Sequence, residues 1–135
     1  MANFLLAYKK TAKMEGGYAN DPVDRGGETW RGVARKMWPK WKGWDIVDDH
    51  KKRSGFPRHL STDSELQKHV LSFYKTNFWD AMRGDELLNQ GVAESIYDSG
   101  VNMGVSQAIK LAQRVLGIPA TGRMDKTTLN KLNNK

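Results

Sequence analysis

The sequence predicts a mainly α-helical domain of the α+β class, with a small irregular β-hairpin after the first helix. Three observations carry that prediction. Apolar residues recur at helical spacing through most of the chain, and capping residues and glycines mark where those helices start and stop. Between them, "EGGYANDPVDRGGETW", residues 15 to 30, breaks the helical rhythm with two glycine pairs and a proline.

The first helix is read over Asn3 to Met14. Phe4, Leu5, Tyr8 and Ala12 share its inner face, Lys9, Lys10 and Lys13 take the outer one, and Gly16-Gly17 ends it. Tyr18 to Thr29 follows as a hairpin, since Asn20-Asp21-Pro22 and Asp24-Arg25-Gly26-Gly27 are both turn chemistry. Trp30 to Met37 is read as a restarted helix that Pro39 and Gly43 interrupt within "WPKWKGW". The charged stretch from Asp45 to His59 reads as a long loop or a short solvated helix. Thr62-Asp63-Ser64-Glu65 forms a capping box, with Thr62 as N-cap, before an amphipathic helix carrying Leu66, Val70, Phe73, Tyr74 and Trp79. Asp85 is expected to cap the next helix, with Leu88, Val92, Ile96 and Tyr97 inward. Another helix runs from Ser106 to Leu116 and stops at Gly117. Asp125 opens the last, which holds Leu129 and Leu132.

Composition narrows the function. The 135 residues suffice for one core. The absence of cysteine excludes disulfides, thiol catalysis and cysteine-bound zinc. His50, His59 and His69 lack metal-ligand spacing, so no metal or cofactor is expected. Twenty-two Lys plus Arg against 15 Asp plus Glu give a formal charge of +7, which draws the protein to polyanions such as nucleic acid, anionic lipid or a bacterial wall. No helix-turn-helix, zinc-finger or RNP-type pattern supports nucleic acid. No stretch approaches the roughly 20 apolar residues of a membrane span. The apolar run at the N-terminus is too short for a signal peptide and is followed by its lysines rather than preceded by them. Synthesis in the cytoplasm, action on the wall after release, and a monomeric state are the resulting expectations.

The chemistry-bearing stretch is the glycine-paired one. Glycosidic hydrolysis usually requires two carboxyl groups in different protonation states. Glu15, at the end of the first helix, suits the acid. The helix field contributes only about 0.3–1 kcal/mol against its charge, so burial would have to supply most of any upward pKa shift. Asp24, beside Arg25 in a polar turn, suits the ionised partner, with Asp21 and Glu28 as competitors for that role. The Thr29 hydroxyl could hold the attacking water. Glycine pairs would let a polysaccharide approach the backbone, which makes Tyr18, Asn20 and Gly27 candidate substrate contacts.

The run Glu15-Gly16-Gly17-Tyr18, Asn20-Asp21-Pro22-x-Asp24-x-Gly26-Gly27-Glu28-Thr29, Gly32-Val33 resembles the signature of glycoside hydrolase family 108. These are lysozyme-like N-acetylmuramidases; some are described as secretion activators, and many are carried by phages as endolysins or by prophages. Tyr97-Asp98-x-x-Val101-Asn102-x-Gly104 resembles the family's second motif, and residues 108–132 resemble its C-terminal predicted peptidoglycan domain. The resemblance implies a lysozyme-like fold over residues 1–135, about 1–84 forming the catalytic part and about 85–135 a helical, peptidoglycan-binding-like part packed on it. It further implies bacteriolytic hydrolysis of the β-1,4 bond between N-acetylmuramic acid and N-acetylglucosamine in peptidoglycan strands, with Glu15 as the catalytic glutamate. The trio of Glu15, Asp24 and Thr29 is also similar to that of phage-type lysozymes, where the threonine falls one position later.

Asp98 and Asn102, four apart, would share a helical face and contact acetamido groups or the hairpin, or simply close a helix with local hydrogen bonds. Trp38, Trp41 and Trp44 could stack on sugars, but read better as core. Two other functions compete with hydrolysis: lytic transglycosylation, and non-catalytic wall binding or secretion assistance on the same scaffold.

Overall fold

A computed structural model of the chain describes residues 2–12, 17–20 and 27–134. The chain is mainly helical, with one small antiparallel sheet following the first helix, as its sequence predicts. It divides into two compact units, Met1–Thr11 with Phe73–Lys135, and Ala12–Ser72.

The unit formed by the two ends of the chain is built on helices. Helix α1 (Phe4–Ala12) starts where the Asn3 side chain accepts the Leu6 N–H at 3.2 Å. It buries Phe4, Ala7, Tyr8 and Thr11. Phe4 meets Trp79 and Tyr97 at ring separations of 5.8 and 5.9 Å. Asp85 does not cap a helix. It lies in a short 3₁₀ turn, Gly84–Glu86, and accepts the buried Trp79 indole N–H at 2.8 Å. The cap belongs to Asn89, whose side chain accepts Val92 N–H at 3.0 Å, and α4 (Gln90–Met103) follows it. Leu88 therefore precedes the helix and is exposed rather than facing inward. Gly104 joins α4 to α5 (Val105–Leu116), Gly117 closes α5 in the left-handed region, and Asp125 caps α6 (Lys126–Asn133), accepting Thr128 N–H at 2.8 Å. The fully buried Gln113 fixes the connection between α5 and α6. Its amide nitrogen reaches Thr121 Oγ1, Arg123 O and Thr128 Oγ1 at 3.0 to 3.1 Å, and its oxygen accepts Gly122 N–H at 3.0 Å.

In Ala12–Ser72 the sheet has order β1 (Tyr18–Asn20), β2 (Glu28–Trp30), β3 (Val33–Ala34), all antiparallel. The expected hairpin thus gains a third strand, and no helix restarts at Trp30. Arg31 and Gly32 both take positive φ, 46° and 85°, which makes a tight strand reversal and excludes a right-handed helix there. Next, α2 (Gly43–Lys51) turns one apolar face inward through Trp44, Val47 and His50, so this part of the charged stretch is an amphipathic helix. Trp44 is core and donates its indole N–H to Trp38 O, while the half-buried Trp41 donates to His69 O. The N-cap of α3 (Ser64–Tyr74) is one residue later than the capping box suggests. Asp63 accepts Leu66 N–H at 3.0 Å, and Thr62 ends the preceding 3₁₀ turn with its hydroxyl donating to His59 O. His50 and Asp63 meet at 2.7 Å.

Candidate active site

The sheet fixes the geometry around the glycine-paired stretch. Tyr18, Ala19 and Asn20 pair with Trp30, Thr29 and Glu28, and Thr29 and Trp30 pair with Ala34 and Val33. The Arg31 N–H donates to Gly17 O at 3.3 Å, which extends the ladder to the residue two after Glu15. Directly paired residues share a sheet face and neighbours along a strand alternate. Glu28 and Trp30, both buried, thus point one way with Tyr18 and Asn20. Thr29 points the other way, between two alanines.

Behind the first face lies a charged cluster centred on Glu28. Its carboxylate accepts the Tyr18 hydroxyl at 2.6 Å and Arg35 Nη1 at 2.8 Å, and pairs with Lys51 Nζ at 2.5 Å. Arg35 also grips Asp48 through two 2.7 Å bonds. Burial would raise the Glu28 pKa, but hydrogen bonds from Lys51, Tyr18 and Arg35 outweigh it and hold the group below the ordinary carboxylate value. Hydrogen bonding to Arg35 brings Asp48 down to about 2. The Tyr18 hydroxyl is pushed up, first by burial and then by the neighbouring carboxylate. Glu28 is thus an ionised structural acid rather than a proton donor.

Beside the cluster is a cleft of about 420 Å³ lined by Ala12, Gly17, Tyr18, Trp30, Arg31, Pro57 and Ser61. Its aromatic wall is set by Trp30, buried beneath the Arg31 guanidinium, and by Tyr18, whose ring meets Phe56 edge-on at 4.8 Å. An apolar wall with a few polar groups suits a sugar-sized ligand.

The profile of the glycosyl hydrolase 108 family matches residues 8–104, most of the chain and all of this sheet and cleft. The chain belongs to that family. It is also similar to a solved structure of SagA from Brucella abortus, with 25% sequence identity and a TM-score of 0.67, covering 98% of this chain and 69% of that one. A search of the curated proteins found no match. The order of elements, one helix, a small sheet and then helices, accords with the lysozyme-like α+β class.

Within this family member, the expected site residues fall as follows. Glu15, Asp24 and the competing Asp21 lie outside the described residues. Thr29 is half-buried at the centre of β2, Tyr18 lines the cleft, and Asn20 is exposed at the end of β1. Gly27 is buried at φ +61°, and a Cβ there would stand 3.1 Å from the Lys36 side chain. That glycine serves a backbone conformation rather than an open approach, whereas Gly17 is exposed on the cleft. Asp98 and Asn102 do share a face of α4, in the other unit. Asp98 accepts the Thr11 hydroxyl at 3.1 Å, and Asn102 bonds back to Asp98 O at 2.9 Å. Arg31 is the cleft residue that spacing missed, although Arg31-Gly32 after an alternating strand could have been read as a reversal. Among the described residues, no helix is long and apolar enough to cross a membrane.

Proposed function

We propose that this family member is a peptidoglycan hydrolase, an N-acetylmuramidase that cuts the β-1,4 bond between N-acetylmuramic acid and N-acetylglucosamine. The observation that carries this reading is the family match over residues 8–104, which takes in Glu15, Asp24 and Thr29 in a single run. Glu15 donates a proton to the leaving glycosidic oxygen, and the ionised Asp24 activates water or stabilises charge on the sugar ring. Thr29 holds that water. For Thr29 the support is the motif alone, since β2 turns its side chain to the sheet face opposite the cleft-lining Tyr18 and Trp30. Gly17 and Tyr18, two and three residues after Glu15 in the sequence, line the cleft, and the exposed Asn20 at the end of β1 is a further sugar contact in this reading. The charge of +7 favours adsorption to an anionic wall, where the protein acts after leaving the cytoplasm.

Wall suspensions test the reading. The wild-type chain should clear them and release reducing muramic ends, while Glu15→Gln should lose at least about a hundredfold in rate, as expected for a general acid, with wall binding kept. Anhydro-muramic products would show transglycosylation instead. Unchanged clearing by Glu15→Gln would refute the mechanism.

A further inference from the structure

In residues 105–135 six Lys and Arg stand against one acid, Asp125, so this stretch carries five of the chain's formal seven positive charges. Asp125 is committed to capping α6, where it accepts both the N–H and the hydroxyl of Thr128. The i, i+3 and i, i+4 spacings place Lys110, Leu111, Arg114 and Val115 on one side of α5. Among the described residues, no carboxylate pairs with Lys110, Arg114 or Lys131. Leu111 is 43% exposed and Val115 75%. Val115 and Leu116 also form one wall of a groove of about 630 Å³, and a stripe of α6 that includes Asn130 and Lys131 forms the other.

A single exposed aliphatic residue is ordinary on a protein surface. Two of them one helical turn apart, flanked by unneutralised cations and opening on a groove, suit a ligand that offers negative charge and hydrocarbon together. A soluble polyanion would use the cations and leave Leu111 and Val115 in water. An anionic bilayer uses both.

We propose that the α5–α6 surface is a peripheral binding site for anionic phospholipid. Lys110, Arg114 and Lys131 meet the phosphates, and Leu111 and Val115 enter the boundary between headgroups and acyl chains.

Co-sedimentation of the full chain with vesicles at physiological salt tests this. The vesicles are phosphatidylcholine alone, or phosphatidylcholine and phosphatidylglycerol at two to one. The expected result is about a hundredfold stronger partitioning onto the anionic vesicles, the scale of three cations near a charged leaflet. Lys110→Gln/Arg114→Gln/Lys131→Gln should lose at least about tenfold of that preference. Lys40→Gln/Lys52→Gln/Lys68→Gln removes the same charge from exposed positions elsewhere and should keep it. Leu111→Gln/Val115→Gln leaves the charge intact and should weaken binding about tenfold. Glutamine is a good helix former, and an unchanged melting temperature in each variant separates lost binding from unfolding. No preference in the wild type, or equal losses in the two triple variants, overturns the site. Full binding by Leu111→Gln/Val115→Gln overturns the bilayer and leaves a soluble polyanion as the ligand. Dimerisation that this double variant abolishes would overturn it in favour of a second copy of the chain. No wall substrate enters the assay, so its outcome is separate from that of the muramidase test.

Discussion

Replacing Glu28 by glutamine tests whether the charged cluster behind the sheet stabilises Ala12–Ser72. The carboxylate is about nine-tenths buried and has three partners within 2.8 Å: Tyr18, Arg35 and Lys51. Removing one partner of a buried ion pair costs about 3–5 kcal/mol. Here the loss should be smaller. The Arg35 and Lys51 side chains are 34% and 35% exposed, so water screens part of the interaction, and both retain Asp48 at 2.7 and 3.3 Å. Glutamine also keeps an oxygen for the Tyr18 hydroxyl. These offsets bring the expected destabilisation to about 2 kcal/mol at pH 7, which lowers a urea midpoint by about 1 M.

Tryptophan fluorescence is the suitable probe, because Trp30, Trp38, Trp41 and Trp44 all belong to Ala12–Ser72 and only Trp79 does not. The sign of the pH dependence follows from the depressed Glu28 pKa. A carboxylate held below its unfolded value contributes fully above that value, about 4.3, and loses its contribution as pH falls through the folded one. The gap between wild type and Glu28→Gln should therefore hold at neutral pH and narrow on acidification. A midpoint unchanged at pH 7, or a gap that widens in acid, would refute the assignment. Activity adds a second readout. With Asp24 as the proposed second carboxylate and Glu28 occupied by three partners, Glu28→Gln should retain more than about a tenth of wild-type turnover below its melting temperature, a smaller loss than removal of a general base would cause.

Elsewhere the structure makes equally specific demands. Gln113→Leu removes the acceptor of the Gly122 N–H and the donor to Arg123 O at a fully buried site, while the Thr121 and Thr128 hydroxyls keep Arg123 N–H and Asp125; a loss of about 2–3 kcal/mol in thermal unfolding is expected, and one under about 1 kcal/mol would contradict a hub role. Asp63→Asn preserves the α3 cap but weakens the 2.7 Å contact with His50, and should cost about 1 kcal/mol at pH 7. The Asp63 pKa is depressed, first by His50 and then by the Leu66 N–H, so this difference too should shrink as pH falls below the unfolded aspartate value; a constant gap down to acid pH would count against the ionised contact.

Much of the helical framework was legible because its signals are local. Gly117 and Asp125 lie where a helix end and an N-cap are expected, and Leu66, Val70 and Phe73 mark the buried face of α3. Legibility failed where local signals compete or partners are distant. Thr62 and Asp63 are both good caps, and the choice between them was settled by His50, which holds the Asp63 carboxylate beside the helix start. Asp85 looked like a cap because nothing local showed the Trp79 indole requiring an acceptor. Of the candidate site residues picked from motif and spacing, Tyr18 lies on the cleft, while Thr29 sits in β2 on the opposite sheet face. Glu28 could not be separated from Asp24 on those grounds, since its partners Arg35 and Lys51 are gathered from a turn and a later helix.

The cluster and the proposed chemistry are linked through strand register. In β2, a slip of one residue would turn Thr29 toward the charges and Glu28 away from them. The alanines flanking Thr29 are too small to fix that register by packing, and three-residue strands supply few ladder bonds to resist a slip. What fixes it is the opposite face, where Trp30 is buried and Glu28 is held by Arg35 through side chain and backbone alike, the Arg35 N–H donating to Glu28 O at 2.8 Å. An acid without a place in the proposed reaction thereby determines which way the proposed water-holding threonine points. Weakening the cluster should accordingly degrade the orientation of Thr29 before it unfolds the sheet.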